Sequence, residues 1–221
     1  MTKLNQTGKR FFPELRTKKD LDSKIFDILY NGIAPTKFHP FKEDQPLTPT
    51  NAYGLSKEAM ERLALRFGKT YDIPTVIMRY SIVQGARQSP LNLYSGALRI
   101  FTVQAIKGEN ITVFEDGYQM RDFVNVHDVV AANLLVLTEE KANFNIFNVG
   151  GGHPYHLIDF ANIVKATTKS SSAITIGGYR RTDTRHAISD ISKLKQLGWK
   201  PKENTQSSVS QYVAWFQNQA S

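Results

Sequence analysis

Two short runs, TVIMRY (75–80) and FNIFNV (144–149), constrain the fold most. The first is a nearly continuous apolar, β-rich run, as expected of a strand covered on both faces, and the second reads as another strand. Helical patterns lie around and between them. Residues 52–67, AYGLSKEAMERLALRF, follow a cap at Thr50 or Asn51, and Leu55, Ala59, Leu63 and Phe67 fall at helical spacing, which predicts a buried stripe. SGALRIFTVQAIKG (95–108) reads as a helix ended by Gly108, and HDVVAANLLVL (127–137) as a second buried helix. A further helix is expected near 156–168, and DISKLKQLG (190–198) as a last short one stopped at Gly198. ITVF and RDFVNV flank the turn EDG. Strands alternating with helices define an α/β chain. IFDILY (25–30) fits either a strand or a helical turn, and the proline-punctuated stretch 34–50 is a loop, because proline removes donors and restricts its neighbours.

The chain has no cysteine, which excludes disulfides, zinc-thiolate sites and thiol catalysis. Its opening residues lack the apolar core of a signal peptide, and no apolar run is long enough to span a bilayer, so a cytoplasmic location without membrane contact is expected. The net charge of +8 fits either a nucleic-acid surface or pockets for phosphorylated ligands. No recognition motif accompanies the charge, so nucleic acid is not expected as a partner. Much of the excess falls in residues 1–24, which lack periodicity and read as an irregular, solvated basic lead-in. His153 and His156 resemble a metal pair without a third ligand, so no metal site is expected.

Tyr53 and Lys57 stand four positions apart, on one face of the predicted helix. A free phenol is a poor base at neutrality. A neighbouring ammonium and the positive end of a helix both favour the phenolate, while burial opposes it. Such a pair can exchange a proton with a substrate hydroxyl, or be no more than a surface pair. Its context decides.

PLTPTNAYGLSK resembles the active-site segment of the extended short-chain dehydrogenases/reductases, the NAD-dependent nucleotide-sugar epimerases and dehydratases. The resemblance continues through IPTVIMRYSIVQGARQS, NLYSGALRIF, ITVFEDGYQMRDFVNVHDVVAANLLVL, FNIFNVGGG and YRRTDTRHAISDISKLKQLGWKP. It covers about residues 35–216 and is most similar to 4-epimerases of UDP-glucose and dTDP-sugars. It implies a truncated Rossmann-like sheet with a smaller C-terminal substrate-binding lobe: remnant Rossmann elements over about 25–85 and the lobe mostly over 86–221. It further implies that Tyr53 transfers the proton, that Lys57 binds the nicotinamide ribose, and that Tyr80 and Ser81 meet the nicotinamide end of NAD. Asn92, Arg121, Arg180 and Asp183 would hold a nucleoside-diphosphate sugar, with Arg185 as an addition. Guanidinium suits that task, giving fixed, bidentate donors to phosphate. The implied reaction oxidises a sugar hydroxyl to a ketone by hydride transfer to NAD and returns the hydride to the other face.

The sequence departs from this pattern in three places. None of its fourteen glycines forms the glycine-rich turn that cradles the pyrophosphate of a dinucleotide. Gly150, Gly151 and Gly152 come after FNIFNV, where a tight turn into the next helix is the ordinary reading. Ser23 is the only serine or threonine near the place of the upstream hydroxyl residue, and Ile82 stands where many epimerases have asparagine. The expectation is therefore an incomplete 4-epimerase, complemented by an N-terminal chain or acting as a homodimer. The alternatives are a non-catalytic nucleotide-sugar-binding remnant and a dehydratase.

Overall fold

A computed structural model of the chain describes residues 3–4, 10–11, 16–27, 29, 35, 37–92 and 96–219. In order these form β1 (Lys3–Leu4), β2 (Arg10–Phe11), α1 (Lys18–Asp22), β3 (Lys37–Phe38), α2 (Ala52–Thr70), β4 (Ile77–Tyr80), β5 (Ile82–Gln84) and α3 (Ala97–Ile106). Then come β6 (Ile111–Val113), β7 (Met120–Asn125), α4 (Val126–Thr138), a 3₁₀ turn (Glu140–Ala142), β8 (Ile146–Val149), β9 (Pro154–His156) and α5 (Leu157–Thr168). β10 (Ile174–Ile176), β11 (His186–Ala187), α6 (Ser192–Gln196) and α7 (Thr205–Gln219) complete the described chain. IFDILY falls partly outside the described residues.

Parallel pairing dominates. TVIMRY and FNIFNV meet as β4 and β8, with Ile77 opposite Ile146 and Tyr80 opposite Val149. β7 lies between β5 and β11, parallel to both, and takes antiparallel β9 along part of its length. β6 pairs with β10, so the two strands flanking the EDG turn lie in separate sheets. Parallel neighbours joined through helices make this an α/β chain, as the alternating pattern requires.

Two apolar cores hold the elements. In one, α3, α5 and α7 pack on β6 and β7 through Leu98, Phe160, Val209 and Tyr212, with Phe160 stacked on Phe123 at a ring separation of 4.1 Å. In the other, α4 and α6 pack on β8 through Ala132, Phe147, Leu194 and Trp199, whose indole N–H donates to the Asp128 carbonyl. The glycines after β8 allow close approach of the backbone. A Cβ on Gly151 would collide with the Phe123 carbonyl, and the Gly151 amide donates to Asp122 Oδ1 at 2.8 Å. Gly198 ends the α6 region at φ +93°, the left-handed conformation that glycine tolerates best.

Four expectations need correction. The stripe Leu55, Ala59, Leu63 and Phe67 on α2 is exposed, Leu63 at 71%. α2 instead turns Gly54, Glu58, Glu61, Ala64 and Gly68 toward the rest of the fold. The cause is a half-buried ion pair, in which Arg79 of β4 grips Glu61 with two bonds of 2.8 and 2.6 Å. Accordingly β4 is only partly covered, not sealed on both faces. α4 is likewise half-buried, with Val129, Ala132 and Val136 inward and Val130, Leu134 and Leu137 outward. Finally, the expected irregular lead-in contains a helix. α1 is capped by the Thr17 side chain, buries Leu21, and follows an arginine, Arg16, that is itself buried.

Candidate functional site

α2 starts where it does because the Asn51 side chain accepts the Gly54 amide hydrogen bond, which places Tyr53 and Lys57 in its first two turns. The Lys57 ammonium sits 5.5 Å from the centre of the Tyr53 ring, as the four-residue spacing predicts. The ring is 71% exposed. Lys57 and Gly54 share a cavity of about 340 Å³ with Tyr80, Arg79, Asn148, Ser189 and residues of the proline-rich loop. That loop is held from below by Glu43, whose Oε1 accepts the Asn148 amide at 2.8 Å. Tyr80 donates its hydroxyl to Asn133 Oδ1 of α4 at 2.8 Å.

Ser81 follows Tyr80 and does not itself line that cavity. Its hydroxyl meets Asp122 Oδ2 at 2.9 Å and the Ser189 hydroxyl at 2.8 Å. Burial pushes the Asp122 carboxyl up, against the hydrogen bonds from Ser81 and the Gly151 amide. Asn92 is exposed on the loop before α3, and the three residues after it lie outside the described set.

The second group of predicted residues gathers where β7, β11 and the loop 179–186 meet. Arg121, in β7, donates through Nη1 to the carbonyls of Met120 and Arg185 at 2.9 and 3.1 Å. Among the described residues it makes no ion pair. Its sequence neighbours are spent elsewhere: Asp122 as above, and Asp128 on the amides of Lys202 and Glu203 at 2.9 and 3.0 Å. Burial pushes the Arg121 guanidinium below its ordinary value, while the charges of Asp183 and Glu115 work in the opposite direction. Arg180 lies over the Phe114 ring at 4.8 Å. Asp183 closes a turn by donating its amide to the Arg180 carbonyl at 3.1 Å.

Around Arg121 is a dense ionic network that the residue types alone did not indicate, apart from Arg185. Arg185 pairs with Asp27 at 3.0 Å, Glu115 at 2.9 Å and Asp116 at 2.6 Å. Arg16 pairs with Glu115 at 2.6 Å and donates to the Asp183 carbonyl at 2.6 Å. Arg185 is thus a structural cation whose carbonyl supports Arg121. Thr50 Oγ1, just before α2, donates to the Thr182 carbonyl beside Asp183 at 3.4 Å and so links the two groups. Neither Arg121, Arg180 nor Asp183 lines the cavity that holds Lys57 and Tyr80. His156 Nδ1 lies 3.0 Å from the Tyr118 carbonyl. Among the described residues no helix is long and apolar enough to cross a membrane.

A parallel α/β arrangement bearing a tyrosine–lysine pair at a helix start is the pattern of a short-chain dehydrogenase/reductase. The model of the NAD dependent epimerase/dehydratase family matches residues 31–150, more than half of the chain. The chain belongs to that family. It is 30% identical over 216 residues to a putative UDP-glucose 4-epimerase of Methanocaldococcus jannaschii, covering 97% of this chain and 70% of that protein. It is 31% identical to a dTDP-L-rhamnose 4-epimerase of Burkholderia thailandensis, covering 95% of this chain and 57% of that one. The structure of a Thermotoga maritima UDP-glucose 4-epimerase with UDP-glucose superposes with a TM-score of 0.79 at 30% identity, over 84% of this chain and 60% of that one. The Rossmann-like architecture expected from the sequence therefore stands, in a chain that spans 57–70% of these proteins.

Proposed function

We propose that the chain carries the substrate-gripping and proton-transferring parts of a nucleotide-sugar 4-epimerase, acting on a UDP- or dTDP-linked sugar. One observation carries this reading. Arg121 is a largely buried guanidinium that makes no ion pair among the described residues, beside Arg16 and Arg185, which are both paired. A buried unpaired cation is costly unless an anion completes it, and a diphosphate fits the fork of a guanidinium. Arg180, racked on Phe114, supplies a second cation for the same anion, and Asp183 an acceptor for a ribose hydroxyl. Asn92 would meet the substrate at the start of the following helix.

In this reading Tyr53 takes the proton from the sugar hydroxyl and returns it, and Lys57 holds the nicotinamide ribose beside Tyr80 and Ser81. NAD, when bound, supplies the hydride acceptor. The residues present fit only part of it. Lys57 and Tyr80 share a cavity that suits the nicotinamide ribose, but the Ser81 hydroxyl is engaged by Asp122, and no glycine-rich turn is present to take the pyrophosphate. A second reading is a nucleotide-sugar-binding chain without turnover. We further propose that another chain, complementary or identical, covers the exposed apolar face of α2.

Calorimetric titration of the full chain with UDP, dTDP and UMP tests the substrate part. The diphosphates should bind more tightly than UMP, and Arg121→Ala should weaken UDP by about tenfold or more. Incubation with NAD and a panel of UDP- and dTDP-sugars tests the chemistry. Epimerisation abolished by Tyr53→Phe supports the enzyme, and binding without epimerisation supports the second reading.

A further inference from the structure

Glu115 occupies an unusual place. It ends the run after β6 at φ +57°, a left-handed conformation that non-glycine residues adopt at a cost, and its side chain is fully buried. Each of its two carboxylate oxygens holds one guanidinium: Arg16 on Oε1 at 2.6 Å and Arg185 on Oε2 at 2.9 Å. Arg121 feels the charge of Glu115 but makes no bond to it.

Arg16 reaches this carboxylate from ninety-nine positions away, from a segment that precedes the family-matched residues. Its side chain is 4% exposed, and it also donates to the carbonyls of Phe26 at 3.3 Å and Asp183 at 2.6 Å. The segment is anchored beyond this point by Leu21 in the interior, by the Tyr179 hydroxyl on Asp22, and by Asp27 on Arg185 and His186. The local charges are three guanidinium groups against four carboxylates: Arg16, Arg121 and Arg185 face Asp27, Glu115, Asp116 and Asp183.

We propose that Arg16 is a positioning residue for the nucleotide-diphosphate site: by occupying Glu115 it keeps Arg121 free to take the diphosphate. This rests on the reading that Arg121 grips that diphosphate. Without Arg16, Glu115 keeps Arg185 on Oε2, but its buried Oε1 is left without a donor, a costly state for a charged oxygen. The next guanidinium is Arg121, which donates to the carbonyl of Arg185, the other cation on Glu115, and makes no ion pair among the described residues. Coulomb attraction in a poorly solvated interior then draws Arg121 onto Glu115, and the diphosphate loses its grip. The same substitution adds one uncompensated negative charge beside an anion site.

The two partners of one ion pair thus have opposite effects on binding, which a purely structural role does not produce. In calorimetric titrations of UDP into the full chain, Arg16→Gln should weaken binding by about tenfold or more. Glu115→Gln, which breaks the same pair and one more, should bind UDP at least as tightly as the parent. Arg16→Gln combined with Glu115→Gln should return the affinity to within about threefold of the parent, the coupling expected of residues in contact. Thermal unfolding of each variant checks that it is folded; if Arg16→Gln alone unfolds, Glu115→Gln and the double variant still decide. The proposal is overturned if Arg16→Gln leaves UDP affinity unchanged or tightens it. It is also overturned if Glu115→Gln or the double variant loses binding. If Arg121→Ala leaves UDP affinity unaltered, or the parent does not bind UDP, the reading of Arg121 itself fails. If Arg121→Ala loses binding and Arg16→Gln does not, only the role of Arg16 fails.

Discussion

The guanidinium cluster around Arg185 and the outer face of α2 are opposites. In the cluster, charged side chains are buried and almost all paired, by residues drawn from the N-terminal segment, the β6–β7 turn and the 179–186 loop. On α2, apolar side chains face water while the inward face carries the charged pair of Glu61 with Arg79. The proposed site draws on both: Arg121 from the rigid, pre-arranged side and Tyr53 with Lys57 from the solvated one. Buried polar networks that are fully satisfied fix one geometry, whereas a helix held through one polar contact row and exposed elsewhere keeps more local freedom. The proposed phosphate grip thus has a built framework in this chain, and the proposed proton-transfer pair a looser one.

The strongest way to break the contrast is Arg185→Met. It leaves Glu115 to Arg16 alone and strips Asp116 and Asp27 of their guanidinium. Removing one partner from a buried network costs about 3–5 kcal/mol, so the urea midpoint should fall steeply. A fall equal to that of an exposed pair would show the cluster to be solvated.

Glu61→Gln probes the other side. The bidentate bond to Arg79 is half-buried, and a charge-assisted bond of this kind contributes about 1.5–3 kcal/mol. The loss should also unseat α2, seen as faster amide exchange over residues 52–70 than elsewhere. Uniform exchange would mean that other contacts orient the helix.

Much of the architecture is legible in the amino-acid order, for identifiable reasons. TVIMRY and FNIFNV read as strands and pair with each other, and Gly198 marks the stop after α6. Tyr53 and Lys57 are four apart on a helix, so their contact is a local consequence of helical geometry. Glu115 and Arg16 lie ninety-nine positions apart, and no local period records such a pair. The one available signal was Glu115 itself, a charged residue in a turn that demands positive φ. The α2 stripe failed for another reason. Periodicity identifies two faces of a helix, but the partner that orients them, Arg79, lies on a different element.

Acid separates the regions more gently. The hydrogen bond to His186, joined by those from Arg185, holds the Asp27 carboxyl well below the usual range against the cost of burial. Burial pushes Asp116 up, but Arg185 and the Tyr118 amide outweigh it and leave that carboxyl lowered too. Lowered carboxyls contribute stability that is complete above the unfolded value of about 3.9 and is lost as pH falls toward the folded values. Both are partly exposed, so solvent screening holds each contribution to under about 1 kcal/mol. Asp122, raised by burial, acts with the reverse sign. Urea midpoints measured from pH 6 down to about pH 3 should therefore drop less in Asp27→Asn than in the parent. An unchanged slope would remove Asp27 from the acid response.

The smallest effect belongs to Leu63→Gln on α2. Leu63 is 71% exposed, so its folded state recovers little of the transfer free energy that burial would supply. Leu194, fully buried against β8, is the internal control, and Leu194→Ala should cost about 2–5 kcal/mol. Leu63→Gln should stay within about 0.5 kcal/mol of the parent, because a surface position away from caps and ion pairs contributes little. The helix also gains nothing and loses nothing in propensity, since leucine and glutamine are close on that scale. Unfolding measured at several protein concentrations sharpens the test. A loss well above 0.5 kcal/mol that grows with concentration would mean the α2 face is buried between chains in solution, and the two sides of the molecule would then be alike in being covered.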